Sequence, residues 1–517
     1  MRVMPEAAAR APSAARAWPG FARFRGLAAR TWSGHRLFII VCIPAVLLRA
    51  DAELGYQWQA WFNDSFEYLS NTVHLSLDPT RVSGYNIGLR ILEPFHSYAL
   101  ITILQHLMGL AVAVMVYALA RHRFGVPAWL ATLAAVPVLY DGFEIELEHL
   151  IMADVPFLFL IVLAAVLLLW DPDPSLRRCA LVGLLLGIAD VVRSVALPLL
   201  ALFAVYMIIR RIGWRKVAAA IAACLVPVAG YIAVFDLEHG QLAMEEAGGV
   251  FLYSRVMTFA ECSEMHVPAN ELFLCTIVPP DQRPIAQEYI WDPSSPLDRL
   301  PPSKFAPLPN QLAENFAIRA IEAQPLDYLR TVIDDTGRVF AWKRYVFPNT
   351  QTYDEYVFGD KATPIPSWDK GHIGRWDSWA AAYAHGNPNT RLVSPFAPVI
   401  RGYQRYVWLP GTVYGLILLV GLGGIVLAWR RLGGEALLPW AISFALIAIP
   451  AATAEFDYRY VLPAVPFACL AAVIAFSPGS PGAAALRRLA GRRRRAADPP
   501  AASGTGDHER DLAADGA

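Results

Sequence analysis

Several residues stand where their type and spacing could move protons or hold phosphate. Asp64 lies in the aromatic stretch Gly55-Tyr-Gln-Trp-Gln-Ala-Trp-Phe-Asn-Asp-Ser-Phe-Glu-Tyr68, with Tyr68 one helical turn on. Aromatic residues of this kind anchor an interfacial helix. A carboxylate beside a low-dielectric interface holds its proton more tightly, which suits a general base. The simpler alternative is that Asp64 caps a helix starting at Ser65. Glu67 shares the same region and is the rival acid.

A second acidic stretch reads Tyr140-Asp-Gly-Phe-Glu-Ile-Glu-Leu-Glu-His149 and leads through Met152-Ala-Asp-Val-Pro156 into an apolar run. Glu144 and Glu148 are spaced to share one helical face. Asp154 falls inside the start of that run, where an acid is costly and therefore a candidate for function. Its bland alternative is a cap for the helix begun by Pro156. Glu148, His149 and Asp154 could share a divalent cation, and no C-x-x-C pair suggests a metal site. Arg193 interrupts two apolar runs, and Arg459 sits in Glu455-Phe-Asp-Tyr-Arg-Tyr-Val-Leu-Pro463. Each needs an anion, either a protein acid such as Glu455 or a bound phosphate.

The elements that must position these residues are membrane helices. Of 517 residues, 56% are hydrophobic and 17% charged, and the apolar residues cluster in long runs, whereas globular domains average about a quarter charged. Net charge is zero, which offers nothing to a nucleic acid. Clear spans cover about 97–120, 150–170, 217–235, 409–428, 436–454 and 460–477, each long enough to cross the hydrocarbon. Weaker ones cover about 35–49, 126–140, 178–190 and 195–209. Basic joints at Arg121/Arg123, Arg177/Arg178, Arg210–Lys216, Arg430/Arg431 and Arg492–Arg495 fall at every second loop. By the positive-inside rule these are cytoplasmic. The pattern predicts an α-helical polytopic membrane protein with about ten crossings and both termini inside.

The opposite face then receives residues 50–96, the Tyr140–His149 stretch, the long segment 236–408 and the Thr453–Tyr458 joint. This places Arg193 and Arg459 on the face where that bias predicts few basic residues. Segment 236–408, between spans seven and eight, mixes Trp, Tyr and Phe with proline turns and reads as a folded outer domain of mixed structure. Asn310–Gln324 carries helical spacing, and a second helix begins at Pro325-Leu-Asp-Tyr-Leu-Arg330. Cys262 and Cys275 both lie in this segment, where an oxidising compartment would allow a disulfide. The remaining four cysteines lie in or beside apolar runs. The first 35 residues read as an Arg- and Ala-rich cytoplasmic tail without a cleavable signal. Residues 478–517 read as a basic, then disordered, tail.

In this order along the chain, the motifs resemble the GT-C superfamily of membrane glycosyltransferases. They are the acid in the first outer loop, Met152-Ala-Asp-Val-Pro156, Gly183-Leu-Leu-Leu-Gly-Ile-Ala-Asp-Val-Val-Arg193 and Arg459-Tyr-Val-Leu-Pro-Ala-Val-Pro466. The resemblance covers about residues 36–235 and 409–477. More narrowly, it resembles actinobacterial phospholipid carrier-dependent glycosyltransferases, related to protein O-mannosyltransferases and aminoarabinose transferases. Many such proteins carry Asp-Glu in the first loop, where this chain has Asp64-Ser65.

The resemblance implies a polyprenyl-phosphate sugar donor at the outer face of the plasma membrane and a glycan, lipid or protein acceptor. Asp64 would be the catalytic base. Glu67, Tyr68, Glu148, Asp154, Arg193 and Arg459 would contact substrate. No cofactor is named, and a divalent cation is the one alternative. A transporter or lipid flippase would also place charges in the membrane, but no internal repeat is visible. A non-catalytic receptor and a polysaccharide polymerase or ligase are the other readings.

Overall fold

The computed structural model describes residues 19–301, 303–362, 373–431, 433–485 and 487–488. The Arg492–Arg495 cluster, the tail after Asp498 and residues 1–18 of the N-terminal tail lie outside the described residues.

Helices dominate. The first, α1 (Pro19–Gly55), begins well before the expected 35–49 run. A two-residue strand β1 (Tyr56–Gln57) follows, then α2 (Asn63–His74), α3 (Gly84–Leu92), α4 (Tyr98–Ala118), α5 (Ala128–Tyr140) and α6 (Gly142–His149). Next come α7 (Asp154–Leu169), α8 (Leu176–Val192), α9 (Ala196–Ile209) and α10 (Trp214–His239). The intermediate segment carries α11 (Gly248–Val256), α12 (Glu288–Trp291), α13 (Pro307–Ala323), α14 (Pro325–Arg338), α15 (Thr350–Asp354), α16 (Ile373–Ala384), β2 (Arg391–Leu392) and α17 (Phe396–Tyr406). The chain closes with α18 (Gly411–Leu427), α19 (Leu437–Thr453) and α20 (Val465–Ala475).

By length and apolar composition, four helical stretches among the described residues can cross a membrane: Tyr98–Arg123, Trp214–His239, Gly434–Thr453 and Tyr458–Ala475. Two bent pairs raise this to six: α5 with α6, meeting at 53°, and α17 with α18, meeting at 56°. Each bend has a local cause. Asp141 separates α5 from α6, and its carboxylate accepts the Phe143 and Leu409 N–H groups, each at 2.9 Å. Pro410 stands immediately before α18, where it cannot continue a preceding helix. Helices α7 and α9 are apolar but shorter, so the expectation of ten crossings exceeds what helix length supports.

The surface agrees with a lipid setting. Ile40, Ile43 and Leu47 on α1, Leu225, Val226 and Val234 on α10, and Leu416, Leu419 and Val426 on α18 are exposed. Water-facing helices normally reserve such positions for polar residues. Inside, small residues bring backbones together, as in other membrane helix pairs. Gly183 of α8 faces the Ala220 backbone of α10 so closely that a Cβ would overlap it. The result is a mostly helical, multi-pass membrane protein.

Residues 248–338 include a separate core, where Val250 and Tyr253 of α11 pack with Phe316 and Ala317 of α13. The expected helices at 310–324 and from 325 are α13 and α14. Cys262 and Cys275 are joined by a disulfide. The mixed structure expected of 236–408 reduces, among its described residues, to helices, turns and β2. That strand pairs antiparallel with β1, Tyr56 opposite Leu392 and Gln57 opposite Arg391. The pairing ties the start of the first loop to the end of this segment.

Candidate functional site

The first loop is shaped by α2. Its start is fixed by Ser65, whose hydroxyl accepts the Phe62 N–H at 3.0 Å, so Ser65 does the capping that the sequence allowed for Asp64. Asp64 sits in the first turn instead and is free to point sideways. It takes Arg81 Nη1 at 2.9 Å and Arg459 Nη1 at 2.8 Å. Arg81 also reaches Glu67 at 2.6 Å. Arg459 also reaches Asp457 at 3.2 Å, and Asp457 accepts the Tyr356 hydroxyl at 2.7 and 2.8 Å.

A short break between α8 and α9 presents Arg193, which pairs with Asp154 at the start of α7. The Arg193 guanidinium lies 5.0 Å from the centre of the Tyr460 ring, and Arg459 lies 5.3 Å from the same centre. Aromatic faces hold guanidinium groups and spread their charge. Asp64, Glu67, Tyr68, Arg81, Asp154, Arg193, Asp457 and Arg459 line one cavity of about 440 Å³, which they share with Glu245, Glu455 and Tyr460. Apolar residues from the end of α19, Ile449 and Pro450, complete one wall.

Electrostatics divides the acids of this cavity into two kinds. Burial alone would raise the affinity of Asp64 for protons, but the Arg81 and Arg459 guanidiniums outweigh it and hold the carboxyl below its usual range. The tighter proton affinity expected from the interface is therefore reversed, because two cations lie within contact distance. Glu245 and Glu455 go the other way. Burial pushes Glu245 up to about 7, opposed by the Ser194 hydroxyl and Arg81. Burial, helped by Asp457, pushes Glu455 up to about 8. Near neutral pH the cavity thus holds ionised Asp64 beside two carboxyls that carry protons much of the time.

Of the residues singled out in the sequence, Asp64, Glu67, Tyr68, Asp154, Arg193 and Arg459 line this cavity. Glu148 does not. It is fully buried and held by Arg49 through Nε at 2.7 Å and Nη2 at 2.6 Å, with His106 Nδ1 at 2.7 Å. Its carboxylate fills a notch at Gly109 of α4, where any side chain would collide with it. This packing places Glu148 away from the cavity, against the expectation that it contacts substrate. The cation suggested for Glu148, His149 and Asp154 is corrected likewise: Asp154 pairs with Arg193, and His149 turns to His106 and to the Tyr56 carbonyl.

Arg81, Glu245 and Asp457 were not anticipated. Arg81 had a usable signal, since it is an arginine in the same acid-rich outer segment as Asp64, the anomaly that marked Arg193. Glu245 had none: it comes from a loop 51 residues beyond Ser194, which donates to it at 3.2 Å.

No family model matches the chain, and no curated protein matches it by sequence. Three of the solved structures similar to it are the following. Over 44% of this chain and 36% of that one, it is 16% identical to the Saccharomyces cerevisiae protein O-mannosyltransferase Pmt1-Pmt2 complex bound to the sugar donor, with a TM-score of 0.34. Over 91% of this chain and 53% of that one, it is 13% identical to the archaeal oligosaccharyltransferase AglB from Archaeoglobus fulgidus in complex with an inhibitory peptide and a dolichol-phosphate, with a TM-score of 0.40. Over 85% of this chain and 76% of that one, it is 12% identical to ArnT from Cupriavidus metallidurans bound to undecaprenyl phosphate, with a TM-score of 0.34. This chain therefore spans about a third of the length of the first and about half of the second.

Proposed function

We propose that the protein transfers a sugar from a polyprenyl-phosphate donor to an acceptor hydroxyl at the outer face of the plasma membrane. The observation that carries this is the meeting of Arg81, Arg193 and Arg459 around Asp64 and Tyr460 in a single cavity. Arginines suit a phosphate whose charge grows as it leaves. The apolar wall at Ile449 and Pro450 gives a lipid tail an approach between helices. The donor class is the one that the sequence resemblance implies. In this reading ten crossings place both termini in the cytoplasm and residues 50–96 and 236–408 outside.

At the anomeric carbon one bond forms and one breaks, and one proton changes hands. The acceptor oxygen attacks the anomeric carbon, the bond from that carbon to the phosphate oxygen breaks, and polyprenyl phosphate leaves with the electron pair. The acceptor proton passes to Asp64. At rest Asp64 is a weak base, because two arginines neutralise it. A donor phosphate competes for the same guanidiniums and draws them away, which returns basicity to Asp64 when substrate is in place. Protonated Glu245 and Glu455 would donate hydrogen bonds to sugar hydroxyls without repelling the phosphate. Gln287, Trp291 and Thr352 of the segment expected to be the outer domain line the cavity, and in this reading that segment holds the acceptor.

The test uses purified protein in lipid nanodiscs with defined polyprenyl-phosphate sugars. Acceptor-dependent loss of the lipid-linked sugar is the expected result. Movement of intact lipid-linked sugar across the bilayer without its cleavage would instead identify a flippase.

A further inference from the structure

Away from the cavity, three helices meet at a second cluster of ligating side chains. Glu53 stands in the last turn of α1, His106 in the middle of α4 and His149 at the end of α6. Their nearest ligating atoms all lie within 4.8 Å of one another. His106 and His149 are 4% and 0% exposed. None of the three lines the cavity around Asp64.

The hydrogen bonds fix which ring nitrogens face each other. His149 Nε2 lies 2.7 Å from the Tyr56 carbonyl oxygen. A carbonyl only accepts, so Nε2 carries the proton and Nδ1 is bare in the neutral ring. His106 Nδ1 lies 2.7 Å from Glu148, whose carboxylate is already engaged by Arg49. Nδ1 therefore donates, and His106 Nε2 is bare. These two bare nitrogens are 3.3 Å apart. Two lone pairs facing each other in a dry interior repel, so a cation belongs between them. Glu53 Oε1 lies 3.7 Å from His106 Nε2 and 3.8 Å from His149 Nδ1. A shared proton would satisfy the two rings and leave Glu53 beyond hydrogen-bonding distance of both.

We propose that Glu53, His106 and His149 bind a divalent transition-metal ion, zinc by the character of the ligands, which clamps α1, α4 and α6 together beneath the first loop. Two imidazole nitrogens and one carboxylate form a zinc set, whereas magnesium and calcium prefer oxygen alone. Ligand atoms about 2.0–2.2 Å from a tetrahedral ion stand about 3.3–3.6 Å apart. The three separations here, 3.3, 3.7 and 3.8 Å, need only a slight inward shift of Glu53. The outer partners that orient metal-bound histidines are also in place, Glu148 behind His106 and the Tyr56 carbonyl behind His149. Because Tyr56 opens the loop that leads to Asp64, the clamp sets the position of that loop without touching substrate.

The experiment is elemental analysis of full-length, tag-free protein purified from zinc-supplemented cells, with thermal unfolding followed in parallel. About one zinc per chain is expected, falling to near zero in His149→Gln and Glu53→Gln. A strong chelator should lower the wild-type Tm, and zinc but not magnesium should restore it. Wild-type protein that carries no zinc and whose Tm ignores both chelator and zinc would overturn the proposal in favour of a shared proton. So would zinc retained at one per chain in both variants. If either variant fails to fold, the wild-type metal content and the chelator response still decide.

Discussion

Arg459 Nη1 donates to Asp64 Oδ2 at 2.8 Å, a contact between residues 395 positions apart in the chain. It joins the first loop to the short joint between α19 and α20, and together with Arg81 it holds the acid assigned as base below its usual range. Removing either partner therefore changes the other, so variants need to be read as pairs.

Asp64→Asn keeps the shape and removes the base. Turnover should fall by about 100-fold or more, while donor affinity holds or improves because Arg81 and Arg459 lose a competing carboxylate. Single-turnover rates and donor titration separate the two effects. Normal turnover in Asp64→Asn with loss in Glu67→Gln would move the role to Glu67.

Arg459→Ala and Arg193→Ala should each weaken donor binding by about 1.5–3 kcal/mol, roughly ten- to a hundredfold, as expected for a charge-assisted contact. Arg193→Ala should also lower stability, because it strands the Asp154 carboxylate, which is 1% exposed. Donor titration together with Tm tells the effects apart. Unchanged donor affinity in both variants would make these arginines structural ion-pair partners only.

The pH dependence follows from the direction of each shift. Asp64 is held below the usual carboxylate range, so it stays ionised through neutrality and imposes no rise in rate there. Glu245 at about 7 and Glu455 at about 8 lose their protons as pH climbs through those values. Their new charges oppose the donor phosphate, so kcat/KM should decline on the alkaline side. Glu455→Gln should move the decline to the step set by Glu245. A rate that rises up to about pH 8 and loses that rise in Glu455→Gln would make Glu455 the base.

The disulfide should matter to residues 248–338 more than to the membrane helices. Cys262 and Cys275 are 13 positions apart, and closing a loop of that size contributes about 3 kcal/mol in the chain-entropy model. Paired Cys262→Ala and Cys275→Ala substitution should lower the unfolding temperature of this segment, followed by limited proteolysis. Two free thiols in non-reducing mass spectrometry of the wild type would contradict the bridge.

Features set by near neighbours along the chain were legible before the fold. Apolar runs marked the helices long enough to cross a membrane, proline and helical spacing marked α13 and α14, and arginines breaking apolar sequence marked Arg193 and Arg459. Each signal is carried by neighbours along the chain. The tertiary structure decided which charges meet. Glu148 and Asp154 look alike in sequence, yet Glu148 is sealed by Arg49 and His106 while Asp154 opens on the cavity with Arg193. Asp64 was expected to hold its proton tightly, and Arg81 and Arg459 reverse this. A carboxylate's proton affinity depends on cations within a few ångströms, and one of these is 395 residues away in the chain.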